Sequence, residues 1–176
     1  MVTEQDKTLA GIQIAIQIEI DGKEYYRQAS QTSSNELGRK LLLALSGEED
    51  FHRQKFVRIY DTIRDQKAWP VIIIPLDRSK GLRTVFTEAS KELTPNLKVL
   101  STELGAIVKA MEMENKSYDF YQSQGEKASY DAERNFYQSI AAEERGHHRL
   151  LLDYYEYIKD PAGWFVQKEH PSLDGG

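Results

Sequence analysis

The feature that most constrains this 176-residue chain is a charged pattern that recurs at one spacing. Sliding the chain by 95 positions lays residues 15–26, AIQIEIDGKEYY, over residues 110–121, AMEMENKSYDFY, so that Ala15, Glu19 and Tyr26 meet Ala110, Glu114 and Tyr121. The same shift lays residues 43–52, LALSGEEDFH, over residues 138–147, QSIAAEERGH, matching Glu48, Glu49 and His52 with Glu143, Glu144 and His147. A single match arises by chance. Two on separate segments at one offset imply an internal duplication, and both copies must then share their local structure.

That requirement settles an ambiguity near the start. In GIQIAIQIEI, residues 11–20, Ile12, Ile14, Ile16, Ile18 and Ile20 alternate with small or polar residues, the period of a half-buried strand. Its partner, ELGAIVKAMEMENKSYDFY, shows no alternation and reads as helix, so the first copy is read as helix too. At roughly 100° per residue, Gln13, Gln17, Asp21 and Glu24 form one polar face, and the isoleucines are expected to bury the other three sides. Glu19 then falls inside the apolar face, among Ile12, Ala15, Ile16 and Tyr26.

Glycine and proline are sparse, and the long stretches between them are rich in Glu, Lys, Gln, Leu, Ala and Tyr, which predicts an all-α chain. One helix is expected over about 4–31, ending in the cluster ASQTSSN, which also caps a second over about 35–66. QKAWPVIIIPLDRSKG, from residue 66, carries two prolines and reads as an extended crossover. A short amphipathic helix, LRTVFTEASKEL, follows within a connection spanning about 67–93. Thr94 and Pro95 are expected to open a third long helix to about 126. Ser129, with Asp131 and Glu133 in the first turn, opens a fourth to about 159, stopped by DPAG. The expected architecture is a four-helix bundle of two duplicated hairpins over residues 1–160, with a C-terminal tail, 161–176, whose aromatic pair Trp164 and Phe165 docks.

In the second helix, Leu41, Leu42, Leu45, Phe56, Ile59 and Ile63 form one apolar stripe, and Glu49 and His52 sit in its middle. The fourth helix repeats this with Phe136, Tyr137, Ile140, Leu151, Tyr154 and Ile158 around Glu144 and His147. Six ionisable groups, Glu19, Glu49, His52, Glu114, Glu144 and His147, therefore converge on one interior. An isolated buried carboxylate costs several kcal/mol, and like charges close together add to that. Protonation relieves the cost, because crowded carboxylates raise each other's pKa. Two divalent cations do so more completely, since they match the roughly four negative charges of four carboxylates. The i, i+3 spacing of each Glu-x-x-His puts both groups on one face, so each hairpin can hold one metal while Glu49 and Glu144 bridge. Mixed carboxylate and imidazole donors suit iron or manganese better than calcium or structural zinc.

This constellation resembles the di-iron carboxylate proteins of the ferritin-like superfamily and, within them, the rubrerythrin family, in which the arrangement is already known. The resemblance runs from about residue 10 to 160. It implies Glu19 and Glu114 as terminal ligands, Glu49 and Glu144 as the bridging pair, and His52 and His147 as imidazole ligands. Tyr26 and Tyr121 are similar to the tyrosines that line such sites. Two iron ions are the implied cofactor, with manganese or a mixed Mn/Fe pair as alternatives. Rubrerythrins typically carry a rubredoxin domain whose iron sits on four cysteines, whereas these residues include no cysteine at all. An external electron donor, such as a rubredoxin-like protein or a small molecule, is therefore expected. Rubrerythrins also usually have a further Glu three residues after the third-helix glutamate, where this chain has Ser117, with Gly22 at the matching place after Glu19.

The activity implied is a peroxidase that reduces hydrogen peroxide to water. A dioxygen-using ferroxidase or iron store, and a non-catalytic metal-binding or electron-transfer protein, are the alternatives. The absence of cysteine excludes thiol catalysis and Cys-ligated metals within these residues. A net charge of −5 without a Lys/Arg block argues against nucleic acid or an anionic membrane as partner. With no basic n-region before an apolar core, a cytoplasmic location is expected, and the crossover and aromatic tail suggest a homodimer. Glu48 and Glu143 rotate off the stripe and are expected in solvent. His148 aligns with Arg53 and is expected at the surface, His170 is given no role, and VIIIP is read as packing or a subunit contact.

Overall fold

The structure, a computed structural model, describes residues 3–66, 69, 70, 72, 79–90 and 101–164, apart from the side chains of 79, 80, 85 and 88–90. Among the described residues five helices follow one another, α1 (Glu4–Thr32), α2 (Glu36–Gln66), α3 (Ser79–Ser90), α4 (Ser101–Lys127) and α5 (Asp131–Lys159), with a single helical turn at 161–164 after them. No strand occurs among the described residues, and GIQIAIQIEI lies wholly within α1. Thr94, Pro95, Phe165, His170 and most of VIIIP lie outside the described residues. No helix among those described is long and apolar enough to cross a membrane.

Local chemistry explains most of the boundaries. Thr3 Oγ1 accepts from Asp6 N at 3.1 Å while Asp6 Oδ2 accepts from Thr3 N at 2.8 Å, a reciprocal cap that starts α1. Asn35, at the end of the polar cluster, starts α2 by accepting from Gly38 N at 2.8 Å. Ser129 does not cap α5. That helix begins one residue later, with Tyr130 as N-cap and no side-chain bond from it. Glu133 reaches back instead to the backbone N–H groups of Ser129 and Tyr130, supplying half of a capping box from the third helical position. The hydroxyl of Ser129 meets Glu4 Oε1 at 3.4 Å.

α1 lies along α2 and α4 along α5; the two hairpins meet through α1 with α4 and α2 with α5, and α3 packs on α2 and α5. The buried face of α1 is narrower than the isoleucine pattern suggests. Gly11, Ile12, Ala15, Glu19, Gly22, Tyr26 and Ser30 are buried, a single stripe at three- and four-residue steps. Ile14 and Ile20 stand 52% and 41% exposed, which corrects the expectation of three buried sides. Among the described helices only α2 and α4 cover α1, which leaves these isoleucines exposed.

The core divides into two clusters. One gathers Tyr26, Leu41, Leu42, Leu45, Ile107, Ala110, Leu151, Tyr154 and Ile158. The other gathers Tyr121, Phe136, Tyr137, Ile140, Ile12, Ala15, Phe56, Ile59 and Ile63, the same positions in the other copy. In each long helix the predicted ligands fall between residues of one cluster and residues of the other. The bundle is therefore layered: apolar, polar, apolar.

Candidate metal centre

The middle layer is built by four helices whose apolar stripes each carry a polar interruption. Because each stripe must face the bundle interior, the interruptions are carried inward with it. All six predicted residues arrive there, none more than 4% exposed. They form two overlapping groups, Glu19, Glu49, His52 and Glu144, and Glu49, Glu114, Glu144 and His147; within each, one donor atom per residue lies within 4.8 Å of the others. Glu49 and Glu144 belong to both.

The orientation of the donors is more telling than their proximity. Among buried side-chain atoms without a hydrogen-bond partner are Glu19 Oε2, Glu49 Oε1, His52 Nδ1, Glu114 Oε2, Glu144 Oε1 and His147 Nδ1, one from each of the six. Buried polar groups are ordinarily paired, because leaving one unpaired costs on the order of 1–3 kcal/mol. Here six point at one another. His52 Nδ1 stands 3.2 Å from Glu144 Oε1 and 3.5 Å from Glu19 Oε2; His147 Nδ1 stands 3.3 Å from Glu49 Oε1 and 3.6 Å from Glu114 Oε2. The two imidazole rings stack with centroids 5.7 Å apart. Hard oxygen and imidazole nitrogen donors, orphaned and converging in two sets that share two carboxylates, fit a pair of divalent cations.

The other atom of several of these groups is tied down from behind. Tyr26 donates its hydroxyl to Glu114 Oε1, and Tyr121 donates to Glu19 Oε1, so each tyrosine serves the glutamate of the opposite hairpin. His52 Nε2 donates to Glu143 Oε2 at 2.8 Å. A carboxylate only accepts, so this bond puts the ring proton on Nε2 and leaves Nδ1 free to face the centre. Glu143 was expected in solvent. It lies one residue before Glu144, and the crossing of α5 over α2 brings it behind the His52 ring. The recurring Glu-Glu of 48–49 and 143–144 was the available signal. Its counterpart Glu48 is half-buried, as is His148.

Electrostatics divides the glutamates by role. Burial, reinforced by the charges of Glu144 and Glu19, pushes the Glu49 carboxyl well above its ordinary range; burial and the charge of Glu114 do the same to Glu144. For Glu19 and Glu114 burial also acts upward, but the facing imidazoles His52 and His147 and the tyrosine hydroxyls outweigh it and hold both low. Burial works against the charged form of both histidines and is overcome by the surrounding carboxylates, which raise them. The two tyrosines are driven well up, first by burial and then by the carboxylates they serve.

The family model of rubrerythrin matches residues 12–155, which takes in both copies of the repeat and all six converging residues. The chain belongs to the rubrerythrin family. No curated protein and no solved structure matches it. Membership accords with the all-α fold and with a buried Glu/His group able to hold metal. Ser117, where rubrerythrins usually carry a further glutamate, and Gly22, at the matching place in the first copy, are both buried beside the centre.

Proposed function

We propose that this rubrerythrin-family chain is a di-iron peroxidase that reduces hydrogen peroxide to water. The observation that carries the reading is the set of six orphaned buried donor atoms, arranged as two groups sharing Glu49 and Glu144. Glu19, Glu49, His52 and Glu144 would hold one iron, and Glu49, Glu114, Glu144 and His147 the other. Bound there, a ferrous pair supplies Lewis acidity and two electrons, one from each ion.

The chain's own residues supply the rest. Glu49 and Glu144, which belong to both donor groups, would serve both ions. Tyr26 and Tyr121 hold one oxygen each of Glu114 and Glu19, leaving the second to face inward. Glu143 fixes the tautomer of His52. The two flanking apolar clusters cover the layer at both ends and lower the local dielectric, which strengthens the electrostatic interactions inside it. Electrons to restore the reduced state come from a separate one-electron donor, because a thiolate-bound iron centre has no cysteine to sit on in these 176 residues.

Metal analysis of protein expressed with ample iron should find two irons per chain. Stopped-flow mixing of the anaerobic di-ferrous protein with peroxide, and separately with oxygen, should show faster oxidation by peroxide. Faster oxidation by oxygen would favour a ferroxidase instead, and zinc without iron would end the di-iron account.

A further inference from the structure

A cavity of about 230 Å³ reaches the centre from between α1 and α4. Its walls come in pairs related by the 95-residue offset. Ile18 faces its counterpart Met113, Gly22 its counterpart Ser117, and the floor holds Glu49 and Glu144. A space lined by matching positions of both copies lies on the axis of the duplication, above the two carboxylates that both donor groups share. The symmetry breaks in two places: Tyr26 and Glu114 line the cavity without their counterparts Tyr121 and Glu19, and at the mouth the exposed Asp21 and Lys116 occupy matching positions with opposite charge.

The small residues make the space. At Gly22 an added Cβ would stand 3.4 Å from both Glu49 Cγ and Glu49 Oε2, so anything longer than alanine must grow along the cavity or over the floor. Ser117, buried on the facing helix, leaves the other side clear. The resulting volume is out of scale with hydrogen peroxide. Even with part of it taken up by two bound cations, the volume exceeds what hydrogen peroxide, with its two heavy atoms, requires. Ile18 and Met113 offer an apolar lining, and a flexible thioether adapts to varied shapes. The polar functions of the deep end are the donor groups themselves, with Tyr26 beside them. An occupant matched to this cavity has an apolar body of several carbons and one small polar end directed at the floor.

We propose that the cavity is the substrate site and that it takes organic hydroperoxides, R–O–OH with a short alkyl or aryl R, in preference to hydrogen peroxide. This rests on the peroxidase reading above and names its substrate class. R lies between Ile18 and Met113, and the hydroperoxide meets the centre over Glu49 and Glu144. The O–O bond breaks, and two electrons and two protons convert R–O–OH to R–OH and water. The electrons come from two ferrous ions, which become ferric and are re-reduced by the one-electron donor.

Two measurements on the full chain test this. The first uses protein loaded with redox-inert, diamagnetic zinc and methyl-labelled at its three methionines, Met1, Met111 and Met113. Titration with 2-phenyl-2-propanol, the alcohol product of cumene hydroperoxide, should shift the Met113 methyl signal and leave Met111 in place. Equal shifts at both, or none, overturn the site. The second compares oxidation of the di-ferrous protein by cumene hydroperoxide and by hydrogen peroxide. Wild type should favour the organic substrate, and Ser117→Leu should lower the ratio of the two rates by about tenfold or more. Gly22→Leu fills the cavity from the opposite helix, so a folding failure of one variant leaves the other to decide. A ratio unmoved by the filled cavity, or reaction with hydrogen peroxide alone, overturns this proposal and leaves the peroxidase reading standing. A Met113 shift in a protein that reacts with no hydroperoxide overturns the peroxidase reading, and the substrate assignment falls with it.

Discussion

The two ends of the bundle occupy equivalent positions in the duplicated chain and are filled differently. Leu41, Leu42 and Leu151 at one end stand where Phe136, Tyr137 and Phe56 stand at the other. Phe56 packs edge-on to Phe136 with centroids 5.2 Å apart and stacks on Tyr121 at 5.5 Å, and Trp69 closes this aromatic layer against Phe136 and Tyr137. The leucine end is closed instead by α3, through Leu82 and Phe86, and by Trp164, which meets Phe86 and Tyr157 edge-on. Between these ends the six donors are the same in both copies. The coordination proposed for them would demand particular donor atoms at particular distances, which leaves little room for variation. Packing demands only filled volume in relaxed rotamers, which leucines with an added helix satisfy as well as aromatic rings do.

A second asymmetry sits beyond the leucine end. Glu103 on α4 accepts from Ser33 Oγ and Tyr154 Oη, both at 2.7 Å, and from Ser34 N at 3.1 Å, clamping the α1–α2 turn to the second hairpin. Its counterpart under the offset is Thr8, which has no carboxylate to offer. Gly38 belongs to this clamp: a Cβ there would fall 2.2 Å from Tyr154 Oη and 2.3 Å from Ser33 Oγ, so the close approach requires glycine.

The comparison yields expectations of decreasing size. If the shared carboxylates are what both halves have in common, Glu49→Ala and Glu144→Ala should each abolish tight binding of the metal pair. Retention of two metals by either variant, measured on dialysed protein, removes that residue from the centre. If the two apolar ends differ in filling but not in importance, Phe56→Ala should cost about 4 kcal/mol and its counterpart Leu151→Ala about 3 kcal/mol. Urea unfolding with an unchanged m-value reads both, and a loss under about 1 kcal/mol at one end alone would show that end to be loosely packed.

Glu103→Ala should cost about 2 kcal/mol by leaving its donors unpaired, while Thr8→Ala should stay within about 0.5 kcal/mol. Burial tends to raise the Glu103 carboxyl, but the bonds from Ser33, Ser34 and Tyr154 prevail and hold it below its ordinary 4.5. Its contribution is therefore complete above about pH 4.5 and fades as pH falls through the lowered folded value. Acid unfolding curves of wild type and Glu103→Ala should converge in that range, and parallel curves would contradict the sign. Last, Glu143→Ala should weaken metal binding by about tenfold, measured by chelator competition, through loss of the His52 tautomer and not of a ligand. Partial recovery in Glu143→Gln, whose amide oxygen still accepts, separates that role from simple packing.

Much of this was legible in one dimension. The helical class, the hairpin turn at Asn35, the duplication and the convergence of the six buried Glu and His side chains follow from spacing, because a helix converts sequence intervals into angles at a fixed rate. Glu19 shows the strength of that rule: the isoleucine alternation around it resembles a strand, yet the partner copy and the helical wheel both put its carboxylate inside. Other features depend on how four helices are placed against one another, which no single helix encodes. Only the tertiary structure pairs Tyr26 with Glu114 and Tyr121 with Glu19, carries Glu143 behind His52, and leaves Ile14 and Ile20 in water. It alone opens a cavity where Gly22 and Ser117 meet across the axis of the duplication. The physical reason is the same in each case. Periodicity states which side of a helix faces inward, whereas the neighbour met there, and the space left beside it, are set by the distance and crossing of helices far apart in the chain.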